Sequence, residues 1–312
     1  MGRAIRVVSF GECMLELQGE AFGAMRQTFG GDTLNTAVYL ARCGARHGIS
    51  VDYATALGDD ALSSGLMTRW AAEGLGLGCV RRIAGRLPGL YLIEVDASGE
   101  RRFSYWREQA AARAYFEAPT TPLEEEEAHI DALYFSGISL AILPAAGRQR
   151  LLALAGRVRA RGAMVAFDNN YRPRLWQGAA AARDAFAAAT DVATLALMTL
   201  DDEQALAGEL DAATQLKNTL ALACAEVVVK RGALPTLVRA GSAGPVEVPT
   251  LHVPKVVDTT AAGDSFAGAY LAARLSGATP EQAAHAGNLL AARVVQQRGA
   301  LIDPSAMADL ME

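Results

Sequence analysis

The segment 258–270 carries the residues best suited to chemistry. The small residues Ala261, Ala262 and Gly263 lead to a carboxylate, Asp264, and an apolar segment follows, which predicts a helix over 263–276. The first N–H groups of a helix have no internal partner and lie at the positive end of its dipole, so small side chains leave them open to an anion. A carboxylate beside an anion site indicates a base next to a transferred phosphoryl group. The alternative is that Asp264 only caps the helix.

Three further polar motifs follow predicted strands or turns. Asn170 lies just beyond the predicted strand 164–168, Lys230-Arg231-Gly232 ends the strand 227–230, and Gly30-Gly31-Asp32 follows a polar segment. Open α/β sheets bind ligands at the carboxyl ends of their strands. Each motif alone could be a structural turn, but together they favour a ligand site.

The composition restricts the class of protein. With 312 residues, 51% of them hydrophobic and 20% charged, the chain is typical of a soluble globular protein. A net charge of −5 gives no basic footprint for nucleic acid, and we expect no membrane partner. The four cysteines form no CxxC pair, which predicts reduced thiols in the cytoplasm. The four histidines lack metal-ligand spacing, so we expect no zinc site held by the protein.

Two segments partly match the motifs of other enzyme classes, and a third such motif is absent from the sequence. The glycines of 74–78 follow a predicted helix rather than a strand, which disfavours a dinucleotide site. The segment 263–267 nearly matches a hydrolase nucleophile elbow, but Ala267 replaces the final glycine. The chain has no GxxxxGK[ST] loop, so any nucleotide is held by another kind of site.

The order of predicted elements indicates the fold. Strand 5–10 and helix 33–43, capped by Asp32 or Thr33, open the chain, and strands alternate with helices from about residue 130. This alternation predicts an α/β fold with a mainly parallel central sheet and helices on both faces. Polar strands in 12–30 and 79–107 interrupt the rhythm and predict a small β-sheet, possibly a lid, with a hairpin turn at 96–99. The acidic run 124–127 indicates a solvated helix face.

These motifs resemble those of the ribokinase-like (PfkB) carbohydrate kinases. The segment 258–264, DTTAAGD, is similar to the C-terminal signature of that family, and 30–35, GGDTLN, is similar to its N-terminal glycine signature. The resemblance is closest to members that phosphorylate 2-keto-3-deoxygluconate. It covers nearly the whole chain and is carried by the segments 11–14, 29–42, 87–91, 105–107, 136–140, 167–176 and 227–232. It implies one ribokinase-like domain over 1–312, with 12–30 and 79–107 as its lid.

The resemblance also implies a reaction. ATP would phosphorylate the C6 hydroxyl of 2-keto-3-deoxy-D-gluconate to give 2-keto-3-deoxy-6-phosphogluconate and ADP. Asp264 would be the catalytic base, and the N–H groups of Ala261, Ala262 and Gly263 would form the anion hole. The family usually has glycine where this chain has Ala261. Either that position needs no positive φ, or the turn is slightly tighter.

The resemblance assigns the remaining site residues by their motifs. Guanidinium groups suit the carboxylate of a sugar acid, and polar groups and a glycine would contact the rest of the substrate. The substrate residues are Gly31, Asp32, Asn35, Tyr91, Tyr105, Arg107, Arg172 and Asp264. The ATP residues are Asn170, Lys230, Arg231, Gly232, Ala261, Gly263 and Asn288. Mg²⁺ would be bound by the phosphates and waters, with Glu203 as a candidate contact through water. The family often has an Asn-x-x-Glu element that influences the metal, and this chain keeps Glu203 but has Leu200 in place of the asparagine.

The lid of this family often pairs between subunits, so the resemblance implies a homodimer or higher homo-oligomer. The cysteine pattern described above predicts the cytoplasm. Two kinds of alternative remain at this stage. The chain could be a PfkB-type kinase for another sugar or sugar acid, such as 2-keto-3-deoxygalactonate or fructose. It could also be a catalytically silent sugar-binding regulator on the same fold.

Overall fold

The computed structural model describes residues 4–20, 22–95, 101–242 and 244–311. In this part of the chain, strands form a large sheet and a separate small sheet. In chain order the strands are β1 (Ile5–Phe10), β2 (Met14–Gly19), β3 (Met25–Gly30), β4 (Ile49–Leu57), β5 (Val80–Arg82), β6 (Gly89–Val95), β7 (Arg101–Trp106), β8 (Ala132–Ser136), β9 (Met164–Asp168), β10 (Leu195–Thr199), β11 (Glu226–Arg231), β12 (Leu234–Ala240) and β13 (Val246–Val248).

The large sheet is mainly parallel, as predicted. Its strand order is β13-β12-β11-β10-β9-β8-β1-β4-β5. The strands from β11 to β5 pair in parallel, and β12 and β13 add an antiparallel edge. Because neighbouring parallel strands end at the same edge, the segments that follow β1, β8, β9, β10 and β11 meet there.

Helices cover both faces of this sheet. They are α1 (Asp32–Gly44), α2 (Ala61–Ala72), α3 (Pro122–Glu125), α4 (Gly137–Ile142), α5 (Ala145–Ala160), α6 (Ala179–Val192), α7 (Leu200–Ala207), α8 (Ala212–Leu220), α9 (Ala262–Leu275), α10 (Pro280–Val294) and α11 (Ala308–Met311).

Each face of the sheet has its own hydrophobic core. Val8 packs with residues of α4, α5 and α6 on one face. Its neighbour Val7 packs with residues of α1, α2, α9 and α10 on the other. Adjacent strand residues therefore enter different cores, which is why the central strands are apolar throughout. None of the helices in the described ranges is long and apolar enough to span a membrane.

The small sheet has the order β3-β2-β6-β7. Strands β2 and β6 pair in parallel, while β2 with β3 and β6 with β7 pair antiparallel. The small sheet predicted in 12–30 and 79–107 is therefore found at 14–19, 25–30, 89–95 and 101–106, whereas the strand at 80–82 belongs to the large sheet. Cys79 is fully buried in a hydrophobic core of the large sheet. The strand that follows it, β5, pairs with β4 at the edge of that sheet. The predicted hairpin turn at 96–99 lies outside the described residues.

The start of α1 differs from the prediction. Its N-cap is Gly31, without a side-chain cap, rather than Asp32 or Thr33. Both side chains have other partners: Asp32 accepts a hydrogen bond from Asn170, and the Thr33 hydroxyl lies 3.1 Å from that of Tyr53. These longer-range contacts take the place of the local cap.

The acidic run 124–127 is also less solvated than its composition suggests. Arg150 Nε donates to Glu124 Oε1 at 3.0 Å, and Arg157 Nε donates to Glu127 Oε2 at 2.8 Å. Both arginines belong to α5, so the acidic run fastens the end of this segment to that helix.

Helices α1 and α9 pack with their backbones in direct contact. A Cβ atom added at Gly268 of α9 would lie 2.6 Å from the Tyr39 Cβ and 2.9 Å from the Leu40 nitrogen. The Thr36 hydroxyl also donates to the Asp264 carbonyl at 3.2 Å. This close approach fixes the first turns of the two helices against each other.

We expect Gly268→Ala to lower the free energy of unfolding by about 1–3 kcal/mol, because the added methyl group overpacks this contact. Chemical denaturation with circular dichroism measures the change. Gly156→Ala in α5 is the matched control, since the nearest atom to its added Cβ is 3.8 Å away. That variant should be unchanged or more stable by up to about 1 kcal/mol. Equal stability of Gly268→Ala and the wild type would contradict the packing argument.

Candidate active site

Asp264 lies in the first turn of α9 and is partly exposed. The Asn35 side chain of α1 donates to Asp264 Oδ2 at 2.8 Å. Beside them, the Asn170 side chain donates to Asp32 Oδ2 at 2.6 Å. Four of the predicted site residues therefore form two neighbouring hydrogen-bonded pairs, here named the Asp264 group, where α1, α9 and the segment after β9 meet.

This environment changes the acidity of Asp264. Burial raises its pKa to about 7, and the negative charges of Asp32 and Asp168 act in the same direction. The hydrogen bond from Asn35 and the charge of Lys230 oppose the rise. A carboxyl group with a pKa near neutrality can accept and release a proton at physiological pH.

A lysine stands beside the start of α9. Lys230, near the end of β11, donates to Asp168 Oδ2 at 2.7 Å, and both side chains are buried. A Cβ atom added at Gly263 would lie 3.6 Å from Lys230 Nζ, so the ammonium group lies close to the helix entrance. A cation and a helix N-terminus together suit an anionic ligand.

The turn before α9 has a left-handed residue. Ala261 has φ +61° and ψ 16°, so the position does adopt positive φ, and the first of the two possibilities considered for it was wrong. The Ala262 N–H donates to the Thr259 carbonyl at 3.2 Å, and the Ser265 N–H donates to Ala261 at 2.8 Å. The Ala262 N–H, one of the three predicted anion-hole donors, therefore closes the turn, and α9 begins at Ala262.

Asp258 shapes this turn, a role that the sequence analysis did not assign. Its Oδ1 accepts from the Thr260 N–H at 3.0 Å, and its Oδ2 accepts from the Gly299 N–H at 3.1 Å. An aspartate side chain often accepts a hydrogen bond from the backbone N–H two residues later in a turn, so spacing alone could have indicated the first of these bonds.

Two predicted substrate residues lie on the small sheet. Tyr91 of β6 and Tyr105 of β7 are directly opposite, with ring centroids 5.9 Å apart. The Tyr91 hydroxyl donates to Glu16 of β2, whereas Tyr105 is 43% exposed. The two rings therefore share one face of the small sheet.

The two predicted carboxylate-binding arginines have different surroundings. The Arg172 side chain is 52% exposed, and its Nη1 donates to the Tyr171 carbonyl at 2.7 Å and to Asp202 at 3.3 Å. Arg107 is buried and donates to Glu12. Arg107 is therefore not a surface charge, and its place at the end of a predicted hairpin gave no sign of this burial.

Gly31 has a structural reason for being glycine. A Cβ atom at this position would lie 2.2 Å from the Glu12 carbonyl oxygen. The segment between β1 and β2 passes directly over it, so the close approach seen in the structure is that of the protein's own backbone.

Three of the predicted nucleotide residues lie at the antiparallel edge of the large sheet or contact it. Arg231 donates to the Pro235 carbonyl at 2.7 Å and to Glu247 at 3.1 Å, which holds the antiparallel edge together. Gly232 has φ +61° and forms the turn between β11 and β12. Asn288 accepts from Thr236 at 2.8 Å and donates to the Val248 and Pro249 carbonyls.

Glu203 has protein partners at both of its oxygens. Oε1 accepts from the Asn169 side chain at 3.0 Å, while Oε2 lies 3.3 Å from Gln215 Nε2 and 3.4 Å from the Thr219 hydroxyl. Glu203 therefore orients the side chain of Asn169, the residue before Asn170. Within the ranges described, no group of three or more His, Cys, Asp or Glu side chains could hold a metal ion.

Known proteins resemble this chain over nearly its whole length. The family described as "pfkB family carbohydrate kinase" matches residues 4–306. The 2-dehydro-3-deoxygluconokinase of Dickeya dadantii is 47% identical over 304 residues, which cover 96% of this chain and 98% of that protein. The enzyme of the same name from Escherichia coli K12 is 46% identical, covering 98% and 99%.

A solved structure extends the likeness to the whole fold. Aminoimidazole riboside kinase from Salmonella enterica, complexed with aminoimidazole riboside and an ATP analogue, superimposes with a TM-score of 0.80 at 25% identity. The match covers 98% of this chain and 100% of that one. From the family match and these near-full-length relatives, the chain belongs to the PfkB family of carbohydrate kinases.

Proposed function

We propose that this chain is a 2-dehydro-3-deoxygluconokinase. It transfers the γ-phosphoryl group of ATP to the C6 hydroxyl of 2-keto-3-deoxy-D-gluconate, another name for the same substrate, and releases 2-keto-3-deoxy-6-phosphogluconate and ADP. The observation that carries the proposal is Asp264, with a pKa of about 7, in the first turn of α9 beside Lys230. The relatives of the same activity at 46–47% identity support the choice of substrate.

Asp264 is the proposed general base. Asn35 holds its Oδ2 by a hydrogen bond, which orients the carboxylate so that Oδ1 takes the proton of the attacking hydroxyl. A positioned base of this kind contributes roughly 10²–10⁴ in rate. A pKa of about 7 keeps a large fraction of Asp264 ionised at neutral pH while leaving it basic enough to accept the proton.

The entrance of α9 is the proposed anion hole. The N–H groups of Gly263 and Asp264 lie in the first turn, where helix donors have no internal partner, and Lys230 brings a positive charge close to them. Together they stabilise the charge on the transferred phosphoryl group. Mg²⁺ bound to the ATP phosphates would supply further charge neutralisation.

Residues around the Asp264 group are the proposed contacts to the substrate. Arg172 is exposed enough to offer its guanidinium group to the carboxylate, and Arg107 provides a second one from the base of the small sheet. Tyr91 and Tyr105 cover the carbon chain when the small sheet closes over it as a lid. Such closure excludes water and limits hydrolysis of ATP.

We also propose that the small sheet pairs two copies of the chain, and that the enzyme works in the cytoplasm. Large apolar side chains remain exposed on this sheet: Phe103 is 42% exposed and Trp106 57%. Exposed apolar groups of this size often mark an interface. The four cysteines are unpaired and buried, which suits a reducing compartment.

A substrate panel tests the proposed function directly. We expect 2-keto-3-deoxy-D-gluconate to give the highest kcat/KM in a coupled ADP-release assay with Mg·ATP, above 2-keto-3-deoxygalactonate, gluconate, fructose and ribose. The neutral sugars fructose and ribose should rank below the 2-keto-3-deoxy acids, because they have no carboxylate for the arginines. A neutral hexose ahead of every 2-keto-3-deoxy acid would refute the substrate. No turnover of any sugar would favour a silent regulator.

Asp264→Asn should lower kcat by about 10²–10⁴-fold, since the amide cannot accept the proton. ATP affinity, measured by calorimetry, should change little, because Asn keeps the shape of the side chain. Asp184→Asn on the exposed face of α6 is the control and should leave kcat unchanged. Near-normal turnover of Asp264→Asn would remove Asp264 from the role of base.

The same variant should affect stability in a pH-dependent way. Asp264 has a folded pKa of about 7, above its ordinary value of 3.8, so the folded state binds this proton more tightly than the unfolded state. The stability that this group provides is therefore lost as pH rises from about 4 to 7. We expect Asp264→Asn to exceed the wild type in free energy of unfolding by about 1–3 kcal/mol at pH 8, and by less at pH 5. A difference that does not grow with pH would contradict the raised pKa.

Sedimentation equilibrium tests the proposed dimer. At micromolar concentration the mass should be at least twice the 32.8 kDa of one chain. Trp106→Glu, which introduces a charge on the exposed sheet, should shift the chain toward monomer. Leu234→Glu is the control, since Leu234 is equally exposed but lies on the large sheet. A monomeric wild type would exclude this assembly.

A further inference from the structure

A buried ion pair lies at the base of the small sheet. Glu12, between β1 and β2, accepts a hydrogen bond through Oε2 from Nη2 of Arg107, which directly follows β7. Glu12 is 2% exposed and Arg107 7%. The pair therefore joins two of the connections between the small sheet and the rest of the protein.

This pair is poorly explained as a source of stability. Glu12 Oε1 and Arg107 Nε are both buried and have no hydrogen-bond partner among the residues that the structure describes. Leaving a buried donor and a buried acceptor unsatisfied is unfavourable, and apolar residues in place of a buried pair are often at least as stable. Such a pair is better explained by the geometry that it imposes on its members.

Two glycines make room for Glu12. A Cβ atom at Gly31 would lie 2.2 Å from the Glu12 carbonyl, and one at Gly89 would lie 2.7 Å from Glu12 Oε1. Gly31 immediately precedes Asp32, and Gly89 begins the strand that carries Tyr91. Glu12 therefore lies in close contact with the start of α1, which carries Asp32, and with the start of β6, which carries Tyr91.

Arg107 needs such a partner to keep one orientation. It borders a cavity of about 490 Å³ that is also lined by Arg86, Trp106 and Gln109. An unpaired guanidinium group has room to turn into that cavity. Glu12 is paired through one of the five N–H donors of the arginine, so others remain for a ligand.

We propose that Glu12 is a positioning residue: it holds the Arg107 guanidinium in the orientation that binds the substrate carboxylate at the base of the lid. The inference rests on the proposed function, because it requires an acidic substrate. Glu12 itself does not contact the reacting atoms.

The test is a double-mutant cycle read by KM for 2-keto-3-deoxy-D-gluconate. Glu12→Ala should raise this KM by about 10- to 100-fold, with kcat within about threefold and the KM for ATP unchanged, since a misplaced binding group has effects of this size. In the Arg107→Ala background, the same change should add nothing, because the residue through which Glu12 acts is gone. Additive effects would show that Glu12 acts independently of Arg107 and would overturn the proposal.

Conservative variants separate positioning from folding. Glu12→Gln keeps an acceptor in place and should raise KM by less than about fivefold, whereas Glu12→Asp, one methylene shorter, should raise it by about tenfold or more. These two variants carry the test if Glu12→Ala does not fold. Equal KM values for Gln, Asp and wild type would overturn the proposal.

Glu73→Ala is the matched control. It breaks another ion pair, Arg42–Glu73 at 2.8 Å, which holds α1 rather than the lid, so it should lower the melting temperature without raising KM.

The proposed function and the inference about Glu12 fail in different ways. A wild type that prefers a neutral sugar refutes the proposed function and this inference together, whereas an acid-specific wild type with an unchanged KM in Glu12→Ala refutes the inference alone.

Discussion

The site depends on electrostatic repulsion that the fold holds in place. Asp32, Asp168 and Asp264 lie near one another, and Lys230 is the cation that the structure sets among them. Carboxylates this close would separate in a flexible chain. Here each is on a different element, α1, β9 or α9. Burial, and after it the repulsion from Asp32 and Asp168, raises the pKa of Asp264. The chemistry proposed for Asp264 uses this stored unfavourable interaction.

The rest of the fold serves to keep those elements together. The parallel order of the large sheet brings the segments after β9, β10 and β11 to one edge. The packing of α1 against α9 through Gly268 then sets Asn35 opposite Asp264. The small sheet carries Tyr91 and Tyr105, and Glu12, in the segment between β1 and β2, pairs with Arg107 just after its last strand.

The sequence predicted the elements and the fold well, but it did not predict the partners of long side chains. Alternating strands and helices have clear periodic signals, and the small sheet was found apart from residues 79–88, where one short strand could have joined either sheet. Lys230 and Arg231 are neighbours in one motif, yet they point to opposite sides of β11, one to Asp168 and the other to Glu247. Asn288 and Glu203 have buried partners, Thr236 and Asn169, on elements that are distant in sequence. No spacing rule reveals such pairings, because they depend on how the elements pack.

The backbone of Ala261 has a consequence for how such enzymes are identified. Left-handed φ at this turn is usually associated with glycine, yet alanine adopts it here at φ +61° within a turn that Asp258 fastens to the segment after α10. The conformation, rather than glycine itself, is what the turn requires. A sequence pattern that demands glycine at this position would reject a chain whose turn has the required shape. Small residues that tolerate left-handed φ belong in that pattern, and β-branched residues do not.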